Sequence, residues 1–142
     1  MAFKKAQGKT KIVYLPVTTS TVMAEGDIVS FSSGYLIKAT SSTAALSHAG
    51  VVRKTITAAD ADYAVARKVP VEVPLEKNVT WEAPVTSGLV AADVGLLVDL
   101  TDAGTINRAA STYDAAQVIA VISSTKGLFR LNLGGGTGEI ND

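Results

Sequence analysis

The sequence predicts an all-β fold, a small β-barrel or sandwich with an extended N-terminal arm and a flexible C-terminal tail. Short runs of Val, Ile, Thr and Leu are interrupted every several residues by Gly, Asp, Asn or Ser, which is typical of strands joined by tight turns. Helical patterns are weak, and residues 57–62 predict at most one turn, capped by Thr57. Of the 142 residues, 47% are hydrophobic and 18% are charged, so the chain has enough apolar material for a core.

Local patterns place the individual strands. Residues 28–31 and 35–38 flank a Ser-Ser-Gly segment at 32–34, which predicts a hairpin. Residues 69–75 alternate but include two prolines. Because proline cannot donate a ladder hydrogen bond, we expect an edge strand or an extended arm there. Further strands are predicted at residues 96–100, 118–122 and 128–133.

The sequence also contains three pairs of similar segments, which indicate an internal repeat. The matched pairs are 26–31 with 95–100, 34–39 with 104–109, and 49–52 with 119–122. Within a β domain at residues 17–133, this predicts half-repeats at 22–75 and 93–133, two similar β units packed face to face because neither buries its apolar face alone. A chance likeness between two β meanders is the alternative. The pattern also leaves open whether the halves form one barrel or two lobes.

The two ends differ from the middle of the chain. Residues 1–16 are predicted to form the extended arm, which is basic and has no acidic residue before Glu25, and 134–142 a flexible, glycine-rich tail. Lysines would steer the arm to an acidic partner and aromatic side chains would anchor it, although a solvated terminus is the alternative. We expect folding to survive deletion of residues 1–11. Trp81 is either a core residue or an interface anchor. The predicted partner-binding residues are Phe3, Lys4, Lys5, Lys9, Lys11, Tyr14 and Trp81.

Several functional classes are disfavoured by composition. The formal net charge is zero, unlike that of most nucleic-acid-binding domains, and the chain has no cysteine and no apolar run of membrane-spanning length. No signal-peptide pattern follows the basic start, so we expect synthesis in the cytoplasm. His48 is the only histidine and lacks a nucleophile-elbow pattern, while Asp99 and Asp102 suit turn hydrogen bonds. We therefore predict no enzyme, no cofactor, no metal site, no direct nucleic-acid contact and no membrane contact.

A family resemblance adds to these predictions. Gly-Asp-Ile-Val-Ser-Phe at 26–31, then Gly-Tyr-Leu-Ile-Lys-Ala at 34–39 and Ala-Gly-Val-Val at 49–52, resembles the small auxiliary capsid proteins of tailed bacteriophages, called decoration or cement proteins. The resemblance covers mainly residues 22–56 and more faintly 93–133, and it rests on a small, cysteine-free, Ala/Thr/Val-rich texture.

The resemblance implies a structural protein on the outer capsid surface of the virion. Its partner would be the major capsid protein, its oligomer a homo-trimer, and its role to stabilise the mature shell against internal pressure. Mass action and many-copy avidity would supply the stabilisation. The alternatives are another virion subunit, such as a head-fibre base or a tail-tube-like protein, and a carbohydrate-binding adhesion module.

Overall fold

Strands dominate the computed structural model, which describes residues 3–18, 20–41, 48–60, 67–76, 78–86 and 88–131. Within these ranges the strands are β1 (Lys4–Gln7), β2 (Thr10–Val17), β3 (Ile28–Ser32), β4 (Tyr35–Lys38), β5 (His48–Val52), β6 (Arg67–Pro74), β7 (Thr80–Pro84), β8 (Leu97–Asp102), β9 (Thr105–Asn107), β10 (Ala116–Ser123) and β11 (Lys126–Leu131). A 3₁₀ turn, Ala91–Asp93, precedes β8. The all-β prediction is confirmed. The predicted tail at 134–142 lies outside the described residues.

Strands β2 to β6 form a closed barrel in the order β2-β4-β3-β5-β6. The alternation in β2 turns Val13, Leu15 and Val17 toward the barrel core and leaves Ile12 and Tyr14 exposed. The predicted hairpin is confirmed: β3 and β4 pair antiparallel from Val29↔Lys38 to Ser32↔Tyr35. Its two turn residues both have positive φ, 52° at Ser33 and 86° at Gly34, as the right-handed strand twist favours.

The edge-strand prediction for residues 69–75 is wrong, because β6 pairs with β2 on one side and with β5 on the other. The prolines are accommodated because the register with β5 is short, at Val51↔Glu72 and Val52↔Val71 only. Pro70 and Pro74 fall outside it, and the Pro70 carbonyl accepts a hydrogen bond from the Arg53 N–H at 2.9 Å. A proline removes only its own donor, so it can sit beside such a short pairing.

The remaining strands form a six-stranded sheet in the order β1-β7-β11-β10-β8-β9. A parallel bridge between Val85 and Ile106 brings β9 back to the end of β7, so strands β7 to β11 curl around a core of their own. Cyclically, their order is β7-β9-β8-β10-β11. This is the order of the first barrel with each strand replaced by the strand five later, and we call the two sets the first unit (β2–β6) and the second unit (β7–β11).

Hydrogen bonds at equivalent positions relate the two units. The Thr18 N–H donates to Leu36 O at 3.1 Å, and the Thr86 N–H donates to Ile106 O at 3.0 Å. Each threonine ends an identical Pro-Val-Thr segment, at 16–18 and 84–86. The first strand of each unit thus carries the closing parallel contact of that unit.

A second set of equivalent hydrogen bonds fixes the register of the later strands. The Gly26 N–H donates to Val52 O and the Gly95 N–H to Val118 O, both at 2.8 Å. Both glycines have positive φ, 96° and 93°. The structural recurrence therefore begins one strand earlier than the ranges 22–75 and 93–133, at β2 and at β7.

Two clusters of buried side chains form the core. One fills the first barrel and includes Val29, Leu36 and Val71. The other fills the second unit and also takes in Ile28 and Val51 from the first unit. This shared cluster means that the two units pack against each other through apolar side chains.

Candidate interaction surface

The predicted partner-binding residues separate into two groups. Phe3 and Trp81 are fully buried in the shared core cluster, so neither side chain can reach a partner in this conformation. Of the two interpretations of Trp81, the structure shows the core residue. The other members of the predicted set are exposed: Lys4, Lys5, Lys9, Lys11 and Tyr14.

Residues 3–16 are extended, as predicted, but they are paired with the rest of the chain. Strand β1 adds antiparallel to β7, with Lys4↔Glu82 and Lys5↔Trp81, and β2 is a barrel strand. The Phe3 N–H donates to Gly26 O at 2.8 Å. The expectation that folding survives deletion of residues 1–11 is therefore corrected, since that deletion would remove a core aromatic, one strand and the start of another.

Arg53 ties this N-terminal segment to both units. Its guanidinium lies 6.0 Å from the centroid of the Trp81 ring, and Nη1 and Nη2 each lie 3.4 Å from Phe3 O, to which they donate. Its Nε donates to Glu72 Oε1 at 2.7 Å, and the Thr10 hydroxyl donates to the other Glu72 oxygen at 2.5 Å. Glu72 is thus ion-paired with Arg53 and hydrogen-bonded to Thr10, which explains how it is buried in a barrel strand.

We call one set of exposed side chains on β1, β2 and their connecting turn the lysine surface: Lys4, Lys5, Lys9, Lys11, Ile12 and Tyr14. Among the large apolar residues that the structure describes, Tyr14 is the most exposed, at 64%. The backbone beneath these side chains is held by the ladders to β7 and β6, and the Lys9 N–H donates to Glu76 Oε2 at 2.9 Å. Because this backbone is already ordered, a partner that binds here would not bear the cost of ordering it.

A second exposed surface was not predicted from the sequence. The segment entering β8 exposes several large apolar side chains, and we call this set the apolar ridge: Val90, Val94, Leu96 and Leu97. The charged residue of the segment, Asp93, is buried, and its carboxylate accepts hydrogen bonds from Arg108 Nη2 at 2.8 Å and Nε at 3.0 Å. The Arg108 hydrogen bonds and the Val90 N–H hold the pKa of Asp93 below its usual value. The sequence signal was the run 88–97, in which Asp93 is the one charged residue.

Ser30 and His48 form a buried pair between β3 and β5, with 2.8 Å between Ser30 Oγ and His48 Nδ1. A serine beside a histidine is the first half of a nucleophile–base arrangement. Here both residues are fully buried, and His48 Nε2 has no partner in the described part of the chain. Desolvation lowers the pKa of His48 to about 4. A substrate could not reach this serine without opening the barrel, so the geometry is that of a core contact.

Of the two carboxylates assigned to turn chemistry, only Asp102 confirms the prediction, because Asp99 lies within β8 and instead anchors the loop before β10. Asp99 accepts hydrogen bonds from three successive backbone N–H groups, those of Thr112, Tyr113 and Asp114, at 2.8–2.9 Å. Asp102 Oδ1 accepts one from the Gly104 N–H at 2.9 Å. These contacts occupy the oxygens with loop anchoring. The described residues contain no group of three or more His, Cys, Asp or Glu side chains arranged to hold a metal ion.

Comparisons with known proteins give no family assignment. No protein-family model matches the chain, and no curated protein matches it. Among the described residues there is no helix long and apolar enough to cross a membrane.

Proposed function

We propose that this chain is a capsid decoration protein, which binds the outer surface of a phage head as an oligomer and stabilises the mature shell. The observation that carries the proposal is the lysine surface: exposed cations and a highly exposed tyrosine stand on two strands whose backbone is fixed in the fold. The family-like texture of residues 22–56 supports it. The major capsid protein is the proposed partner.

In this proposal, charged and apolar side chains contribute to binding in different ways. The lysines steer the protein to an acidic region of the shell, and long-range attraction of this kind mainly raises the association rate. Burial of Tyr14 and Ile12 then supplies short-range affinity, because both expose about half or more of their surface in the free protein. A protein that binds only the expanded shell stabilises that shell by mass action, and many copies on one lattice act together.

Co-sedimentation with purified phage shells tests the proposal. Wild-type protein is expected to pellet with expanded shells and to remain in solution with unexpanded ones. The double variant Lys5→Glu/Lys11→Glu, with one change on each strand of the lysine surface, should bind on the order of tenfold more weakly or worse, with most of the loss in the association rate. Binding should also weaken as salt rises, because the charges that act are exposed.

The matched control is Lys54→Glu/Lys68→Glu, which makes the same change in net charge at exposed lysines outside the lysine surface. It should bind as the wild type does. Absence of wild-type binding to both kinds of shell contradicts the proposed function. Equal loss in the test and control variants contradicts the assignment to the lysine surface, since net charge alone would then explain it.

Two alternatives make different predictions. A tail-tube-like subunit would stay in solution when mixed with expanded shells, whatever oligomer it forms, so the same co-sedimentation separates it from a decoration protein. A carbohydrate-binding module would need an exposed aromatic platform, and Trp81 cannot supply one because it is 1% exposed. Three tyrosines in the described ranges are exposed, and they lie apart in the chain, on β2, on β4 and in the loop before β10. A glycan screen that gave binding sensitive to one of these tyrosines would favour the adhesion module.

A further inference from the structure

The two units use different faces to contact each other. We call residues 26–28 of the first unit, and their equivalents 95–97 of the second, the entry face, because each leads into the second strand of its unit. We call 33–35 and the equivalent 103–105 the hairpin face, which is the turn between the second and third strands. The equivalences follow from the matched hydrogen bonds described above. Gly26 and Gly95 donate equivalent bonds, and Leu36 and Ile106 accept equivalent bonds.

Within the chain, the entry face of the first unit packs on the hairpin face of the second. The Ile28 N–H donates to Ala103 O at 2.8 Å, and both side chains belong to the shared core cluster. Ile28 is 0% exposed and Asp27 is 7% exposed. On the other side of this contact, Ala103 and Thr105 are each 3% exposed.

The two remaining faces are exposed within the single chain. Leu97 and Leu96, the equivalents of Ile28 and Asp27, are 44% and 51% exposed. Tyr35, the equivalent of Thr105, is 47% exposed, and Phe31 beside it is 36% exposed. Each unit thus has one of its two faces covered by the other unit, and the exposed faces are one of each kind.

We propose that a second copy of this chain covers these faces, with the entry face of the second unit of one copy packed on the hairpin face of the first unit of the next. The contact would repeat between chains the one that joins the units within a chain. Neither free face carries a charged side chain, since 95–97 read Gly-Leu-Leu and 33–35 read Ser-Gly-Tyr. The association therefore buries leucine and aromatic surface without removing a charge from water. A head-to-tail contact closes into a ring or continues as a filament, depending on the rotation between copies.

Light scattering coupled to size-exclusion chromatography tests the contact. Wild-type protein should run at a multiple of the 14.6 kDa chain mass. Leu97→Glu and Tyr35→Glu should each run at the mass of one chain, because either change places a charge in the contact. Ile122→Glu is the matched control: Ile122 is 52% exposed and lies near the end of β10, outside both faces and outside the lysine surface, so this variant should keep the wild-type mass. Thermal unfolding of each variant verifies that it is folded.

Mixing the two monomeric variants decides whether the faces pair with each other. The Leu97→Glu chain keeps an intact hairpin face and the Tyr35→Glu chain keeps an intact entry face, so an equal mixture should form a complex of two chains and stop there. A mixture that stays at the mass of one chain overturns the head-to-tail pairing. Wild-type protein that is a monomer at every concentration tested, or a Leu97→Glu variant that keeps the wild-type mass, overturns it as well.

The inference rests on the internal repeat and not on capsid binding. Capsid binding is tested through Lys5 and Lys11, and self-association through Leu97 and Tyr35, so the two proposals can fail separately. If the lysine variant loses shell binding while its oligomer mass stays that of the wild type, the result supports the capsid proposal. The head-to-tail contact is then decided separately, by the masses of the Leu97 and Tyr35 variants.

Discussion

Acidification between pH 6.5 and pH 4 should destabilise the protein through His48. The imidazole is fully buried between β3 and β5, and its one hydrogen bond in the described structure joins Nδ1 to the Ser30 hydroxyl at 2.8 Å. Burial without a charged partner favours the neutral ring, which is why the pKa falls to about 4 from 6.5. In the unfolded chain the ring is solvated and takes up a proton near pH 6.5.

The sign and size of the effect follow from these two pKa values. Between pH 6.5 and pH 4 the unfolded chain binds a proton at His48 that the folded chain does not, so the free energy of unfolding falls as the pH falls. The full difference between the two pKa values corresponds to about 3 kcal/mol. That is a large fraction of the stability of a typical domain. The free energy of unfolding is therefore highest above pH 6.5, and the loss due to His48 is nearly complete at about pH 4.

Urea unfolding of the wild type and of His48→Gln, measured from pH 7 to pH 4.5, isolates this contribution. Glutamine does not titrate, and its amide can still bond to the Ser30 hydroxyl, so the variant should lack the steep part of the pH dependence. The pKa values of Asp60 and Asp93 are lowered from 3.8, so these carboxylates lose their contributions mainly below this range, and they do so in both proteins. From pH 7 to pH 4.5, the free energy of unfolding of the wild type should therefore fall by about 2–3 kcal/mol more than that of the variant.

A direct titration provides the refutation. His48 is the only histidine, so its ring resonance in an NMR spectrum is unambiguous. A midpoint near 6.5 in the folded protein, or parallel stability curves for the wild type and the variant, would show that the ring is solvated and that the barrel core is not closed around it.

Two stability predictions test the packing of the barrel and of the N-terminal segment. Gly50→Ala should cost about 2–3 kcal/mol, because a Cβ at this position would lie 2.6 Å from the backbone oxygen of Glu72, whereas Gly34→Ala, with no atom within 4 Å, should cost only about 1 kcal/mol from its positive φ. Equal effects in urea unfolding would contradict this close approach of β5 to β6. Phe3→Ala should cost about 3–5 kcal/mol and the exposed control Tyr14→Ala less than about 0.5 kcal/mol. If Phe3→Ala left the free energy of unfolding unchanged, the N-terminal arm would be dispensable for folding.

Much of the fold was accessible from local sequence patterns. Period-two alternation and turn residues located the β3–β4 hairpin and the strands β8, β10 and β11. The likeness of 26–31 to 95–100 pointed to equivalent strands β3 and β8. The Pro-Val-Thr segments at 16–18 and 84–86 held the missing information on β2 and β7, because each ends the first strand of its unit.

The candidate surfaces were harder to predict from the sequence than the strands were. Lys4, Lys5 and Tyr14 could be predicted as exposed because nothing in a basic, acid-free segment requires burial. Phe3 lies in the same segment and is buried, since β1 pairs with β7 in the second unit, nearly 80 residues away, and carries Phe3 into its core. No local pattern around Phe3 encodes that pairing.

By itself, the sequence determined the alternation of strands and turns, because side-chain period and turn chemistry act over a few residues. Only the tertiary structure decided which of two similar faces is covered. Ile28 and Leu97 enter equivalent strands with the same apolar character, yet one is sealed by the Ala103 turn and the other faces solvent. Burial depends on what packs from a distant part of the chain, and the head-to-tail packing of two similar units leaves one face of each exposed in the described structure.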